Sequence, residues 1–417
     1  MTASTAYVHV KTLEDGHSES INIVAFSPCG DYLASGSDDH SLIVWRISDA
    51  TQLCRFTFDS PVNFLLWHPT LTIRNTIFCG CDDGLVFKMS DFSVARFTGR
   101  PIKLGVKGSV HCLDFEPLNR VLAVGIANEV RIAREMTSSH SEKIYAGNSK
   151  IAPPGFSLAE GTEDRRVRPR RVHFFEGGQK LIVTYLNHGI IAWDLSTGSQ
   201  IWRIPPFKGA PQIASSALCL NINALVVQTL QGNLLYYRLG RGIPTRKFPF
   251  TENSAHNYPL TVSFLQQGRA IVCGSNNGNV HIWRTITGEI FQVLTHNNDI
   301  VQAVATCDQG SFSLIATASA LKGQKTYINL WRAKSERKTF KMGLSFFTKV
   351  FFATFMLAGL AYLLHAHFDP LDDTRWFSSY PIAVMAKTIA FQKRLSLLWN
   401  GLEWVRIGAC GCMSIQI

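Results

Sequence analysis

Residues 16–56, GHSESINIVAFSPCGDYLASGSDDHSLIVWRISDATQLCRF, hold four short apolar runs separated by Gly, Asp, Ser and Pro. Each run is about five residues long and rich in β-branched and aromatic side chains, which predicts four short strands joined by turns. The reading is testable by recurrence, because a single four-stranded unit cannot bury both its faces, whereas a set of equivalent units stacked on one another can.

The Trp45 position recurs as Met89 after CDDGLVFK, as Ala133 after IANEVRI, as Trp193 after YLNHGIIA, as Tyr237 after LQGNLLY, as Trp283 and as Trp331. The intervals are 44, 44, 60, 44, 46 and 48 residues. A second landmark agrees: Phe26, Phe115, Phe174 and Phe264 precede their Trp-equivalents by 18 or 19 residues, and Trp67 precedes Met89 by 22. Seven units at this period predict seven four-stranded blades.

Gly16-His17 at the head of the first unit, Phe26-Ser27-Pro28 at the end of its first strand and Asp39 six positions before Trp45 resemble the WD-repeat β-propeller family, with Arg46 in place of the usual Asp. The resemblance implies an all-β, seven-bladed β-propeller over residues 1–333. It also implies that His17, Ser35, Asp39 and Trp45 form a buried structural tetrad in blade one. Asp39 is matched later by Asp83, Asn187, Gln231 and Asn277, and no later unit opens with Gly-His, so the other blades are expected to rely on apolar packing. No fourth strand follows Trp331, and residues 5–13 (TAYVHVKTL) are a strand without a blade; the N-terminal strand is therefore expected to close the last blade.

The 60-residue interval places an Arg/Pro-rich loop insertion, residues 148–172, between blades three and four. It ends in Arg165, Arg166, Arg168, Arg170 and Arg171, and guanidinium forks of this density suit an anionic partner: anionic lipid or a phosphorylated or acidic peptide. A solvated loop, partly neutralised by Glu160, Glu163 and Asp164, is the alternative. The phosphoinositide-binding tetrapeptide Phe-Arg-Arg-Gly is absent. A smaller insertion at 307–325 is expected in the strand connections of the last blade.

Beyond the repeats, residues 344–365 are predominantly apolar, with Lys349 near one end the only charged side chain from Leu344 to Leu364, which predicts a single transmembrane helix. A basic juxtamembrane linker, 334–343, precedes it, and a tail, 366–417, follows it with an amphipathic stretch on Phe391, Leu395, Leu398, Leu402 and Val405. Residues 1–333 carry 31 basic and 25 acidic side chains against 10 and 5 for 334–417, so nearly half of the net charge of +11 flanks the apolar run. The excess before the helix predicts a cytosolic propeller and a lumenal or external tail, at the endoplasmic reticulum or another endomembrane.

There is no basic stripe interleaved with stacking aromatics, so nucleic acid is not expected as a partner. The ten Cys fall mostly in apolar strand-like runs, as in a reducing compartment, and Cys79/Cys81 and Cys410/Cys412 have neither zinc nor redox spacing. No catalytic residue, cofactor or metal site is expected, since P-loop, G-x-S-x-G, H-E-x-x-H and dinucleotide motifs are absent. The resemblance, together with the apolar run, implies a membrane-tethered WD-repeat scaffold for protein–protein interactions on the propeller's top face. The alternative is an exchange factor for a small GTPase, which shares this layout of propeller and anchor.

Overall fold

The computed structural model describes residues 6–70, 75–90, 98–137, 143–155, 166–206, 212–250, 258–296, 299–320 and 326–334. The expected transmembrane helix at 344–365 and the tail at 366–417 lie outside the described residues. Among the described residues no helix is long and apolar enough to cross a membrane.

The described residues form seven four-stranded antiparallel sheets, each a blade. Blade 1 is β2 (Ile21–Phe26), β3 (Tyr32–Ser37), β4 (Ser41–Arg46) and β5 (Thr51–Thr57). Blade 2 is β6 (Val62–Trp67), β7 (Ile77–Cys81), β8 (Val86–Ser90) and β9 (Thr98–Ile102); blade 3 is β10 (Val110–Glu116), β11 (Val121–Ile126), β12 (Glu129–Thr137) and β13 (Lys143–Lys150). Blade 4 is β14 (Pro169–Phe175), β15 (Lys180–Tyr185), β16 (Gly189–Asp194) and β17 (Gln200–Ile204); blade 5 is β18 (Ile213–Cys219), β19 (Ala224–Thr229), β20 (Asn233–Arg238) and β21 (Arg246–Pro249). Blade 6 is β22 (Val262–Leu265), β23 (Ala270–Cys273), β24 (Asn279–Arg284) and β25 (Ile290–Thr295). Blade 7 combines β26 (Val301–Gln309), β27 (Phe312–Ser319) and β28 (Ile328–Lys334) with β1 (Val8–Leu13) from the other end of the repeat region.

The inner strands β2, β6, β10, β14, β18, β22 and β26 each touch the next, and β26 returns to β2, so the ring is closed. The closing strand pairs Val8 with Arg332 and Leu13 with Ile328, and the His9 ring meets Trp331 edge-on at 5.2 Å. Tyr7 continues the closure: its N–H donates to Gln292 Oε1 at 2.8 Å on blade 6, and its hydroxyl to Ser313 Oγ at 2.9 Å.

Register puts the Trp-equivalents on common ground. Trp45, Met89, Ala133, Trp193, Tyr237, Trp283 and Trp331 face Leu33, Ile77, Leu122, Leu181, Leu225, Ile271 and Ile315 on the second strands. All seven partners are fully buried. The extra residues of blade 7 depart from the sequence expectation: part of them lengthens β26 and β27 into a paired hairpin reaching Gln309 and Phe312, instead of lying only in connections.

Six inner strands carry a β-bulge near their start, at Asn22, Asn63, His111, Arg170, Ala214 and Gln302. A bulge bends the strand and re-aims its side chains. The preceding blade makes room for this bend with a glycine. A Cβ on Gly36 would lie 2.3 Å from Val62 Cγ1, and one on Gly80 would lie 2.4 Å from Val110 Cγ1. Gly125 against Cys112 and Pro169, and Gly274 against Val301, repeat the contact. Gly80→Val should therefore destabilise the ring by about 1–3 kcal/mol through overpacking. Urea unfolding with an unchanged slope would report this as a lower midpoint, and a midpoint equal to that of the parent would show that the blades need not approach so closely.

Candidate functional site

Blade 1 holds a continuous polar chain. Trp45 Nε1–H donates to Ser35 Oγ at 2.9 Å, Ser35 Oγ lies 2.8 Å from His17 Nε2, and His17 Nδ1 lies 3.1 Å from Asp39 Oδ2. Every link is satisfied when the serine hydroxyl donates to Nε2 and Nδ1–H donates to the carboxylate. Asp39 also accepts from the Ser18 N–H at 3.0 Å, the Ser41 N–H at 3.0 Å and Arg55 Nη2 at 3.1 Å. His17, Ser35 and Trp45 are buried, so the tetrad braces the turns of the blade and offers no surface to a ligand.

A second version of this chain was not expected. In blade 7, Trp331 Nε1–H donates to Thr317 Oγ1 at 2.9 Å, and Thr317 Oγ1 lies 2.6 Å from His296 Nε2. Thr317 faces Asn329 as Ser35 faces Ile43, so the two sites are equivalent in register. His296 lies 21 residues before Thr317 and Thr317 14 before Trp331, against 18 and 10 in blade 1, and the inserted residues hide the match in linear spacing. Burial pushes His296 down to about 4, leaving it neutral at neutral pH. In blade 6, Cys273 stands where Ser35 stands, and Trp283 Nε1 has no hydrogen-bond partner among the described residues.

The arginines divide. Arg165 lies outside the described residues, Arg166 is exposed and Arg168 is half-buried. Arg170 and Arg171 are not in the loop: they belong to β14, which corrects the expected 148–172 boundary, and β13 likewise extends to Lys150. The bulge directs both toward a cavity of about 250 Å³ on the ring axis, lined by residues such as Asn22, Phe64, His111 and Gln302 from the inner strands. Arg170 Nε–H donates to the Ala214 carbonyl at 3.0 Å, and Arg171 Nε–H to Ser215 Oγ at 3.3 Å. The Arg171 guanidinium also lies 4.6 Å from the Phe64 ring centroid, across the axis from blade 4 to blade 2.

Other cavity side chains tie neighbouring blades. Asn22 Nδ2 donates to the Val62 carbonyl at 3.2 Å, Asn63 Nδ2 to Ser109 Oγ at 2.8 Å, and Gln302 Nε2 to the Ile21 carbonyl at 3.1 Å. Burial, then the charges of Arg170 and Arg168, push His111 down to about 4, so it is neutral at pH 7. Burial lowers Arg170, and it lowers Arg171 to about 10; a guanidinium keeps its proton at neutral pH. The eight cysteines among the described residues are free thiols, five of them buried, while Cys410 and Cys412 lie outside the described residues. Among the described residues no group of three or more His, Cys, Asp or Glu side chains could hold a metal.

The family model described as "WD domain, G-beta repeat" matches residues 8–46 and 247–284. Each match runs from an outer strand through the first three strands of the next blade, so the sequence repeat straddles two blades. The chain is 24% identical over 221 residues to the periodic tryptophan protein 2 homolog of Dictyostelium discoideum, covering 46% of this chain and 23% of that protein. It is 31% identical over 159 residues to a chromatin assembly factor 1 protein of Gallus gallus, covering 32% and 28%. It is 27% identical over 161 residues to protein HIR1 of Yarrowia lipolytica, covering 33% and 14%. The chain therefore spans less than a third of the length of these curated relatives.

Burial alone would raise the Asp39 carboxyl, but hydrogen bonds from His17, Ser41 and Ser18 outweigh it and hold the group well below the usual carboxylate range. Its folded value lies below the unfolded value of about 3.9, so the stabilisation is present above that pH and is lost as pH falls below it. Asp39→Asn should lower stability at pH 7 and flatten the acid limb of the Tm–pH curve below about pH 4. Ser35→Ala should cost about 1–3 kcal/mol by orphaning its two partners, and Trp45→Ala about 3–5 kcal/mol. Chemical denaturation at pH 7 measures both, and values near zero would remove the network from the account of stability.

Proposed function

Taking the chain as a WD-repeat β-propeller, on the strength of its seven blades and its two repeat matches, we propose that it is a scaffold that docks protein partners on the face where the inner strands begin, held at an endomembrane by residues 344–365. The observation that carries the docking reading is the placement of Arg166 and Arg168 in the connection entering β14, outside the sheets. A closed ring fixes such groups in relative position, so a partner meets a preorganised surface and loses less entropy in binding. The relatives' names, among them a chromatin assembly factor, support assembly with other proteins over catalysis. The 22-residue apolar run with basic residues before it supports the tether, with the propeller on the cytosolic side. Tethering would raise the effective concentration of partners at that surface.

The placement of the arginines refines the test. Replacing all five would disturb β14 as well as the connection, so Arg165, Arg166 and Arg168 should be changed together to Ser. Proximity labelling in cells should then lose a defined set of proteins while the Tm of the variant stays at the parent value; an unaltered set would remove the connection from the docking surface. The propeller should leave GDP release from small GTPases unchanged, whereas acceleration would favour an exchange factor. For the tether, the full chain should remain in the membrane pellet after alkaline carbonate extraction and a variant lacking 344–365 should not. Release of both would sink the anchor.

A further inference from the structure

The axial cavity holds a departure from the ring's own pattern. The position after the bulge is Ile23, Phe64, Cys112, Ser215 and Ala303 in blades 1, 2, 3, 5 and 7, all small or apolar and all buried. Blade 4 places Arg171 there, with Arg170 on the bulge itself. Both are half-buried and line the cavity. Their hydrogen bonds run from Nε, to Ala214 and Ser215, so none is made by a terminal Nη atom to a described residue. No carboxylate among the described residues forms an ion pair with either guanidinium. Asp38 and Asp82 accept from the amides of Asn22 and Asn63 on the cavity wall, each at 2.8 Å. Two adjacent cations drawn out of bulk water without a counter-charge are costly to maintain, and a local break with the surrounding pattern marks a functional position.

We propose that this cavity binds a small, multiply charged oxyanion, a phosphate or polycarboxylate group, between the forks of Arg170 and Arg171. Free guanidinium edges match such oxygens bidentately, and low surrounding polarity strengthens the pairing. His111 lies on the cavity wall beside the two guanidinium groups. The amides of Asn22, Asn63 and Gln302 are fixed by their bonds to the next blade, so the pocket is preformed. The site is separate from the exposed connection and does not depend on the docking reading.

The test uses the full chain with inorganic phosphate, pyrophosphate and citrate as probes, followed by isothermal titration and by thermal unfolding in low chloride. The expected result is saturable one-to-one binding that raises Tm; preference for the phosphates or for citrate identifies the source of the oxyanion. Combined R170Q and R171Q should raise Kd by about tenfold or more, while the triple Ser variant at 165, 166 and 168 keeps binding. Ala214→Glu guards against misfolding of the arginine variant. It introduces a carboxylate beside Arg170, and should raise Tm without ligand and abolish the ligand-induced shift. No saturable binding by any probe, or a ligand shift undiminished in the Glu variant, overturns the proposal.

Discussion

The pairing of β1 with β28 is the contact on which the ring depends. Each blade is an antiparallel sheet whose outer strand is an edge and whose inner strand packs against the inner and second strands of the neighbouring blades. In a closed circuit every sheet packs between two others. Opening at one seam would expose the faces of two sheets and the edge of β28 together. Drawing the closing strand from residues more than 300 positions away makes opening require strand separation as well as loss of packing. Tyr7 reinforces the seam by fastening the strand's start to Gln292 of blade 6 as well as to Ser313 of blade 7.

Given closure, the blades can be dissimilar. What repeats around the ring is geometric: a bulge near the start of the inner strand and, where the second strand of the preceding blade must yield, a glycine. Polar side chains at the bulges then donate to the next blade, as Asn22 does to Val62 and Gln302 to Ile21. The hydrogen-bonded tetrad is needed less often. Blade 1 has all of it, blade 7 has His, Thr and Trp, and blade 6 places a thiol under an indole N–H that finds no partner among the described residues. An unpaired donor costs a kilocalorie or so, a loss that a ring of shared apolar faces can absorb.

This division explains how much could be read beforehand. The Trp45 series was legible because burial on a fixed strand position leaves a large residue at a fixed interval, and the register bears it out at all seven places, even where Ala133 stands for Trp. The blade 7 network was not legible, because lengthened strands moved His296 and Thr317 off the interval at which a linear scan looks. The arginines were misplaced for a related reason. A run ending in Arg-Pro-Arg-Arg has loop composition, yet Pro169 is the first residue of β14 and Arg170 and Arg171 already belong to the strand. Composition reports the average of a segment, whereas a bulge decides the direction of individual side chains.

The same geometry bears on what the ring can do. Arg170 and Arg171 sit on a strand that is hydrogen-bonded to β15, among neighbours fixed by bonds between blades. Burial has depressed both guanidinium groups, Arg171 to about 10, and a guanidinium keeps its proton at neutral pH. The positive charge on the axis is therefore a permanent property of the folded ring. On the cavity wall His111 is held neutral, and the amides of Asn22 and Asn63 are engaged by Asp38 and Asp82. Closure makes the ring rigid, and rigidity is what allows a charge to be held where side chains alone would rearrange to quench it.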